Sequence, residues 1–169
     1  MSKKETICVS GGFDPVHIGH LRMIQEAAKF GDVIVIVNSD KWLMRKKGYI
    51  FMPFKERSEI LQGFAAVSET THVDDTDGTV CEALQRIKPT YFANGGDRKT
   101  DNTPEMDVCD DEGIQLLWGM GGGKVQSSST LVSDSGMVTE SITEVDGVDV
   151  TPTRVEILAA GDIAKNGDY

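Results

Sequence analysis

Two histidines three residues apart in a glycine-rich stretch are the residues whose types and spacing point most directly to chemistry. They belong to Gly11-Gly12-Phe13-Asp14-Pro15-Val16-His17-Ile18-Gly19-His20, which lies between an apolar run and a helix-patterned one. Glycines let the backbone turn tightly, and a helix starting there presents free N–H groups to an anion. Where the helix has begun by His17, the spacing puts both imidazoles on one side. Imidazoles so placed donate hydrogen bonds to phosphate oxygens as charge develops during phosphoryl transfer. The pair resembles half of a zinc site, but three or more protein ligands are usual and no third is evident, so no metal ligands are assigned.

Three other segments carry phosphate-binding residue types. Arg45-Lys46-Lys47-Gly48 is a basic cluster in an acidic chain, read as a loop and as either a solvated charge run or a phosphate grip. Gly95-Gly96-Asp97-Arg98 follows a strand-like run, where Asp97 could accept from a ribose hydroxyl or hold Arg98. Gly121-Gly122-Gly123-Lys124-Val125-Gln126-Ser127-Ser128-Ser129 imitates a P-loop. That motif needs glycine where Trp118 stands and Ser or Thr where Val125 stands, so the P-loop reading fails. Arg57 sits in a helical pattern, where a surface salt bridge is the ordinary reading.

The elements around these residues alternate. Thr6 to Ser10 reads as a buried strand, followed by a helix from about Gly19 to Gly31 with Leu21, Ile24, Ala27 and Ala28 on one face. Val33 to Val37 is a second buried strand, so strand, helix and strand make a βαβ unit and a parallel sheet. Pro53 opens a helix with Ile60, Leu61 and Phe64 as its apolar stripe, before a short strand at Thr71 to Val73. Val80, Ala83, Leu84 and Ile87 repeat at helical spacing up to Pro89. Tyr91 to Ala93, a helix from Pro104 to Glu112 and the run Ile114 to Trp118 complete the pattern. The expectation is an α/β Rossmann-like three-layer sandwich with about five parallel strands.

Length and charge limit the alternatives. A chain of 169 residues buries one substantial core, and 39% hydrophobic with 26% charged residues is a folded composition. A formal charge of −10 disfavours broad contact with nucleic acid or an anionic membrane. Cys8, Cys81 and Cys109 are too few and too scattered for a disulfide framework or a zinc site. No apolar run suits a signal peptide or membrane span, so a cytoplasmic protein is expected. The catalytic domain is expected over 1–132. Residues 133–169 carry eight acidic residues against Arg154 and Lys165, and read as an accessory segment or tail with room for a β-hairpin around Gly147.

Gly12-Phe13-Asp14-Pro15-Val16-His17-Ile18-Gly19-His20 resembles the G-x-F-D-x-x-H-x-G-H signature of the cytidylyltransferase-like nucleotidyltransferases. The likeness extends through Gly31-Asp32, Val37-Asn38-Ser39-Asp40, Lys46-Lys47-Gly48, Arg57, Asn94-Gly95-Gly96-Asp97 and Ser127-Ser128-Ser129, covering about residues 6–132. Within that superfamily it is most similar to heptose-phosphate adenylyltransferases and glycerol-3-phosphate cytidylyltransferases. The resemblance implies that His17 and His20 contact the triphosphate from the Gly11-Gly12-Phe13-Asp14 turn. It gives Lys46 or Lys47 a phosphate-clamping role and Arg57 a phosphate-binding or substrate-orienting one. It brings Gly95 and Asp97 near the nucleotide and sets Ser127, Ser128 and Ser129 around the β and γ phosphates. Lys124 stands near where cytidylyltransferases often have an arginine. The implied reaction moves AMP or CMP from ATP or CTP to a sugar or polyol phosphate, with Mg2+ on the triphosphate, in a homodimer. A nucleotide sensor that does not turn over and a scaffold using the acidic tail are the alternatives.

Overall fold

The computed structural model describes residues 4–95, 103–122 and 126–135, together with two short strands at 144–145 and 148–149. Five strands, β1 (Thr6–Gly11), β2 (Asp32–Val37), β3 (Val67–Thr71), β4 (Tyr91–Gly95) and β5 (Gln115–Met120), form one sheet in the order β3-β2-β1-β4-β5. Every neighbouring pair runs parallel. The α/β sandwich expected from the sequence is therefore the fold.

Alternation along the central strands sorts their side chains to two faces. Ile7 and Val9 of β1, with Val33, Val35 and Val37 of β2, pack against α1 (Ile18–Ala27) and α3 (Phe54–Gln62). Cys8, Ile36 and Phe92 point the other way, against α4 (Cys81–Ile87) and α5 (Thr103–Glu112). Each helix contributes a short stripe: Met23, Ile24 and Ala27 from α1, Leu61 from α3, and Ala83 with Leu84 from α4. Burial pushes the Cys8 thiol up to about 12, as suits a cysteine used as a small apolar core residue.

Chain direction across the sheet decides where a ligand can sit. From β1 the chain winds outward through β2 to β3, then crosses to β4 on the other side of β1. The connections after β1 and β4 diverge, leaving a crevice beyond the carboxyl ends of those strands. The turn bearing His17 and His20 leaves β1 at that point.

Several boundaries differ from the sequence expectation. The basic cluster is not a loop. Arg45, Lys46 and Lys47 form the last turn of α2 (Asp40–Lys47), capped by Ser39 at one end and by left-handed Gly48 at the other. Only Leu43 of α2 is buried, so an apolar stripe could not reveal the helix. Helix α1 ends at Ala27, which leaves Ala28 exposed, and Met23 replaces it in the buried stripe. Gly31 is required by close approach, since a Cβ there would stand 2.5 Å from the Glu5 carbonyl oxygen. Strand β3 lies four residues earlier than expected. Its Ser68-Glu69-Thr70 stretch is polar because it is an edge strand, and Gln62 covers part of that edge by bonding the Ser68 carbonyl and the Thr70 N–H. Near the carboxyl terminus, β6 (Glu144–Val145) and β7 (Val148–Asp149) pair antiparallel.

Helix α3 provides a paired test of the layers. Leu61 is fully buried whereas Ile60, expected in the same stripe, is 43% exposed. Leu61→Ala should cost about 2–5 kcal/mol. Ile60→Ala should stay within about 0.5 kcal/mol of wild type. Urea unfolding of the two variants measures the difference.

Candidate functional site

Helix capping fixes the two histidines. His17 is the N-cap of α1, with extended backbone, and its Nδ1 accepts from the Gly19 N–H at 3.0 Å. One turn on, the His20 Nδ1 accepts the N–H of His17 at 3.1 Å. A ring nitrogen that accepts carries no proton, so in both imidazoles the N–H is on Nε2. The rings stack with centroids 3.8 Å apart and planes 25° from parallel, while Phe13 meets His20 edge-on at 4.8 Å. Burial, with smaller effects from His17 and Lys47, pushes the His20 pKa down to about 3. At neutral pH His20 is thus an uncharged donor held in one tautomer.

The turn before the histidines is shaped by its neighbours. Phe13 has a φ of 52°, unusual for a side chain of its size, and is held there by complete enclosure in the core. Gly12 admits α2 into contact: a Cβ would come within 2.9 Å of Leu43 Cδ2 and 3.3 Å of Trp42 Cζ3. The Asp14 carboxylate is buried and accepts the N–H groups of Phe51 and Met52 at 2.7 and 2.5 Å. It thereby organises the loop between α2 and α3. Burial raises the Asp14 pKa, opposed by those two bonds and by the Arg57 and Lys47 charges.

The structure separates the two lysines. Lys47 is half-buried and interacts electrostatically with both Asp14 and His20. Burial holds its amine below the ordinary lysine range, against the pull of the Asp14 carboxylate. Lys46 is exposed and stands 5.8 Å from the Trp42 ring centre as a cation–π contact. Of the two, Lys47 is the one whose charge acts on His20.

Arg57 is neither a surface salt bridge nor a ligand-facing group. Its side chain is fully buried and donates to Met52 O at 2.8 Å, Gly12 O at 2.7 Å, Asn38 O at 2.8 Å and Asp40 Oδ1 at 2.7 Å. The expected substrate contact is replaced by a structural one, because these protein acceptors engage every nitrogen of the guanidinium. Asp40 also accepts the Phe54 N–H, so this carboxylate serves both α2 and the start of α3.

The serine-rich turn closes the other side. Ser127 caps α6 (Ser128–Asp134) by accepting from the Thr130 N–H. Ser128 Oγ donates to Pro15 O at 2.7 Å, which ties α6 to the histidine turn. Ser129 shares a hydrogen bond with the Tyr49 hydroxyl, whose pKa burial raises. Gly11 and Gly95 end the two central strands on either side of the crevice. Asp97, Gly96, Arg98 and Lys124 lie outside the described residues.

Asp40, Tyr49 and Asp75 were not singled out from sequence. The signal for Asp40 was the Asn38-Ser39-Asp40 helix start followed by glycine eight residues later. Beside Asp40, a groove of about 210 Å³ is lined by Val37, Ser39, Phe54, His72 and Val73. No cluster of three or more metal-ligating side chains occurs among the described residues. None of their helices is long and apolar enough to cross a membrane.

Comparison with known proteins adds the relationship. A family model described as cytidylyltransferase-like matches residues 8–118. The chain is 30% identical over 95 residues to an FAD synthase of Ferroglobus placidus, covering 56% of this chain and 61% of that protein. It is 31% identical over 117 residues to the bifunctional protein HldE of Hahella chejuensis, covering 67% of this chain and 24% of that one. The chain thus spans less than two thirds of these relatives. A lipopolysaccharide core biosynthesis protein from Thermoplasma volcanium shares the fold, with a TM-score of 0.58 at 22% identity over 69% of this chain and 94% of that one.

The buried groups give two measurable consequences. Removing the Arg57 donors in Arg57→Met should cost about 3–5 kcal/mol in urea unfolding, because three carbonyls and Asp40 lose their partner. For His20 the sign follows from its lowered pKa. Between its ordinary 6.5 and about 3 the unfolded chain binds the extra proton, so the His20 contribution to stability is complete above that window and declines as pH falls through it. Urea midpoints measured across the window should fall less steeply in His20→Asn than in wild type.

Proposed function

Because this chain belongs to the cytidylyltransferase-like family, we propose that it transfers AMP or CMP from ATP or CTP to a sugar or polyol phosphate and releases pyrophosphate. The coarser statement, nucleotidyl transfer, rests on the family match over residues 8–118. The observation that carries the finer reading is the histidine pair: two stacked rings with their protons on Nε2, in electrostatic reach of the half-buried Lys47 amine. That set of donors suits the oxygens of a triphosphate, not a proton-transfer relay.

In this reading an acceptor phosphate oxygen attacks the α-phosphorus, forming an O–P bond as the bond to the leaving pyrophosphate breaks. The acceptor is already anionic near neutral pH, so no protein nucleophile or general base is needed. His17, His20 and Lys47 hold the charge that moves onto the leaving oxygens, and Ser127, Ser128 and Ser129 line the β and γ phosphates from the α6 side. Asp14 and Arg57 keep these groups in place from beneath. Both Asp14 oxygens accept backbone N–H groups, so it is not offered as a metal ligand. Magnesium enters as part of the substrate, bound to the triphosphate, in keeping with its preference for phosphate oxygens and water.

A sugar or polyol phosphate is proposed as the acceptor because its phosphate oxygen can serve directly as the nucleophile. The similarity to an FAD synthase adds FMN to the acceptors worth testing.

Pyrophosphate release with magnesium tests the proposal, pairing ATP or CTP in turn with glycerol 3-phosphate, heptose 1-phosphate and FMN. Release that depends on one acceptor establishes the reaction and its base preference. In that pair His17→Asn and Lys47→Met should each lower kcat by about 10²–10³-fold. Tight nucleotide binding without release across the panel would reject catalysis on these acceptors and leave a nucleotide sensor.

A further inference from the structure

Helix α2 has too little of its own to hold Lys47 in place. It is eight residues long and buries only Leu43. A helix of that length is marginal without outside support. The support comes from the loop after β3. Asp75 is buried, and its carboxylate accepts from Ser39 Oγ at 2.6 Å, the Ser39 N–H at 2.8 Å and Asn38 Nδ2 at 3.1 Å. Ser39 Oγ, held this way, accepts in turn from the Trp42 N–H as the cap of α2. Farther along the helix, Arg45 Nη2 donates to the Asp75 carbonyl at 2.6 Å and Trp42 Nε1 to the Gly78 carbonyl at 3.2 Å.

We propose that Asp75 is a positioning residue for the phosphate site, setting the place and rotation of α2 and through them the place of the Lys47 amine. The three polar attachments lie at the cap, one turn along and two turns along the same helix. Asp75 supplies the first through its carboxylate and the last through its carbonyl. A helix held at several points along its length can neither slide nor turn about its axis. The Asp40 carboxylate, bonded to Arg57 and to the Phe54 N–H, holds only the amino-terminal end of α2. Asp75 itself does not touch the histidines. Its role in turnover rests on the nucleotidyl-transfer reading, whereas its effect on Lys47 does not.

The test uses the full chain with Asp75→Asn, which turns an acceptor into a donor facing other donors. Arg45→Met is the milder second variant, removing one attachment. Each is measured by unfolding midpoint, by the pH midpoint for acetylation of Lys47 read by peptide mass spectrometry, and by kcat and KM for pyrophosphate release. Positioning predicts that the Lys47 midpoint rises towards the ordinary lysine value of about 10.4 while exposed Lys4 stays unchanged. It also predicts a fall in kcat of about 10–100-fold with a smaller change in the nucleotide KM. A lower unfolding midpoint with the Lys47 titration and kcat both unchanged would overturn the proposal and leave Asp75 a stabilising residue only. If Asp75→Asn does not fold, Arg45→Met decides by the same criteria. If wild type releases no pyrophosphate, the activity reading fails, and the Lys47 titration still decides the positioning.

Discussion

A single buried guanidinium joins the parts of this site. Arg57 reaches from α3 to the turn after β1, the end of β2, the start of α2 and the loop before its own helix. A charge so enclosed is costly unless its donors are met, and here carbonyl dipoles and one carboxylate meet them. The arrangement favours specificity over stability: alternative packings of these four segments would leave the charge unpaired. The turn that bears the histidines therefore has a defined floor.

Above that floor, helix termini set the chemistry. His17 and His20 serve the backbone at one nitrogen and have their proton at the other, so the bonds that start α1 also choose the tautomer. Phe13 covers one edge of the pair, and stacking limits ring rotation. Local folding and the proposed phosphate recognition thus use the same two rings through different nitrogens. Preorganisation of this kind means little rearrangement is required when charge appears on a phosphate.

The sequence disclosed this site unevenly, and the reasons are physical. The sheet was legible because β1, β2 and β4 are buried on both faces and read as apolar runs. The histidine turn was legible because glycines end an apolar run there and two imidazoles follow at helical spacing. Helix α2 was hidden, having one buried residue and no stripe, and its local signs were the caps Ser39 and Gly48 with an acid in the first turn and bases in the last. Strand β3 was misplaced because an edge strand can be polar. Arg57 was recognised as important but given the wrong neighbours: no spacing rule reveals that an arginine turns inward to carbonyls 5, 19 and 45 residues away. Asp75 was equally hidden, being one of three acids in the loop after β3, and its burial is a tertiary fact.

Gln62 at the end of α3 has a consequence for how the molecule behaves in company. An outer strand normally offers its unpaired amides and carbonyls to any other extended chain. On β3 the amide of Gln62 occupies one of each, taking the Thr70 N–H and donating to the Ser68 carbonyl. A primary amide has the same donor and acceptor as a peptide unit, so the side chain acts as a one-residue sixth strand. That part of the edge is answered from within, by the last residue of α3.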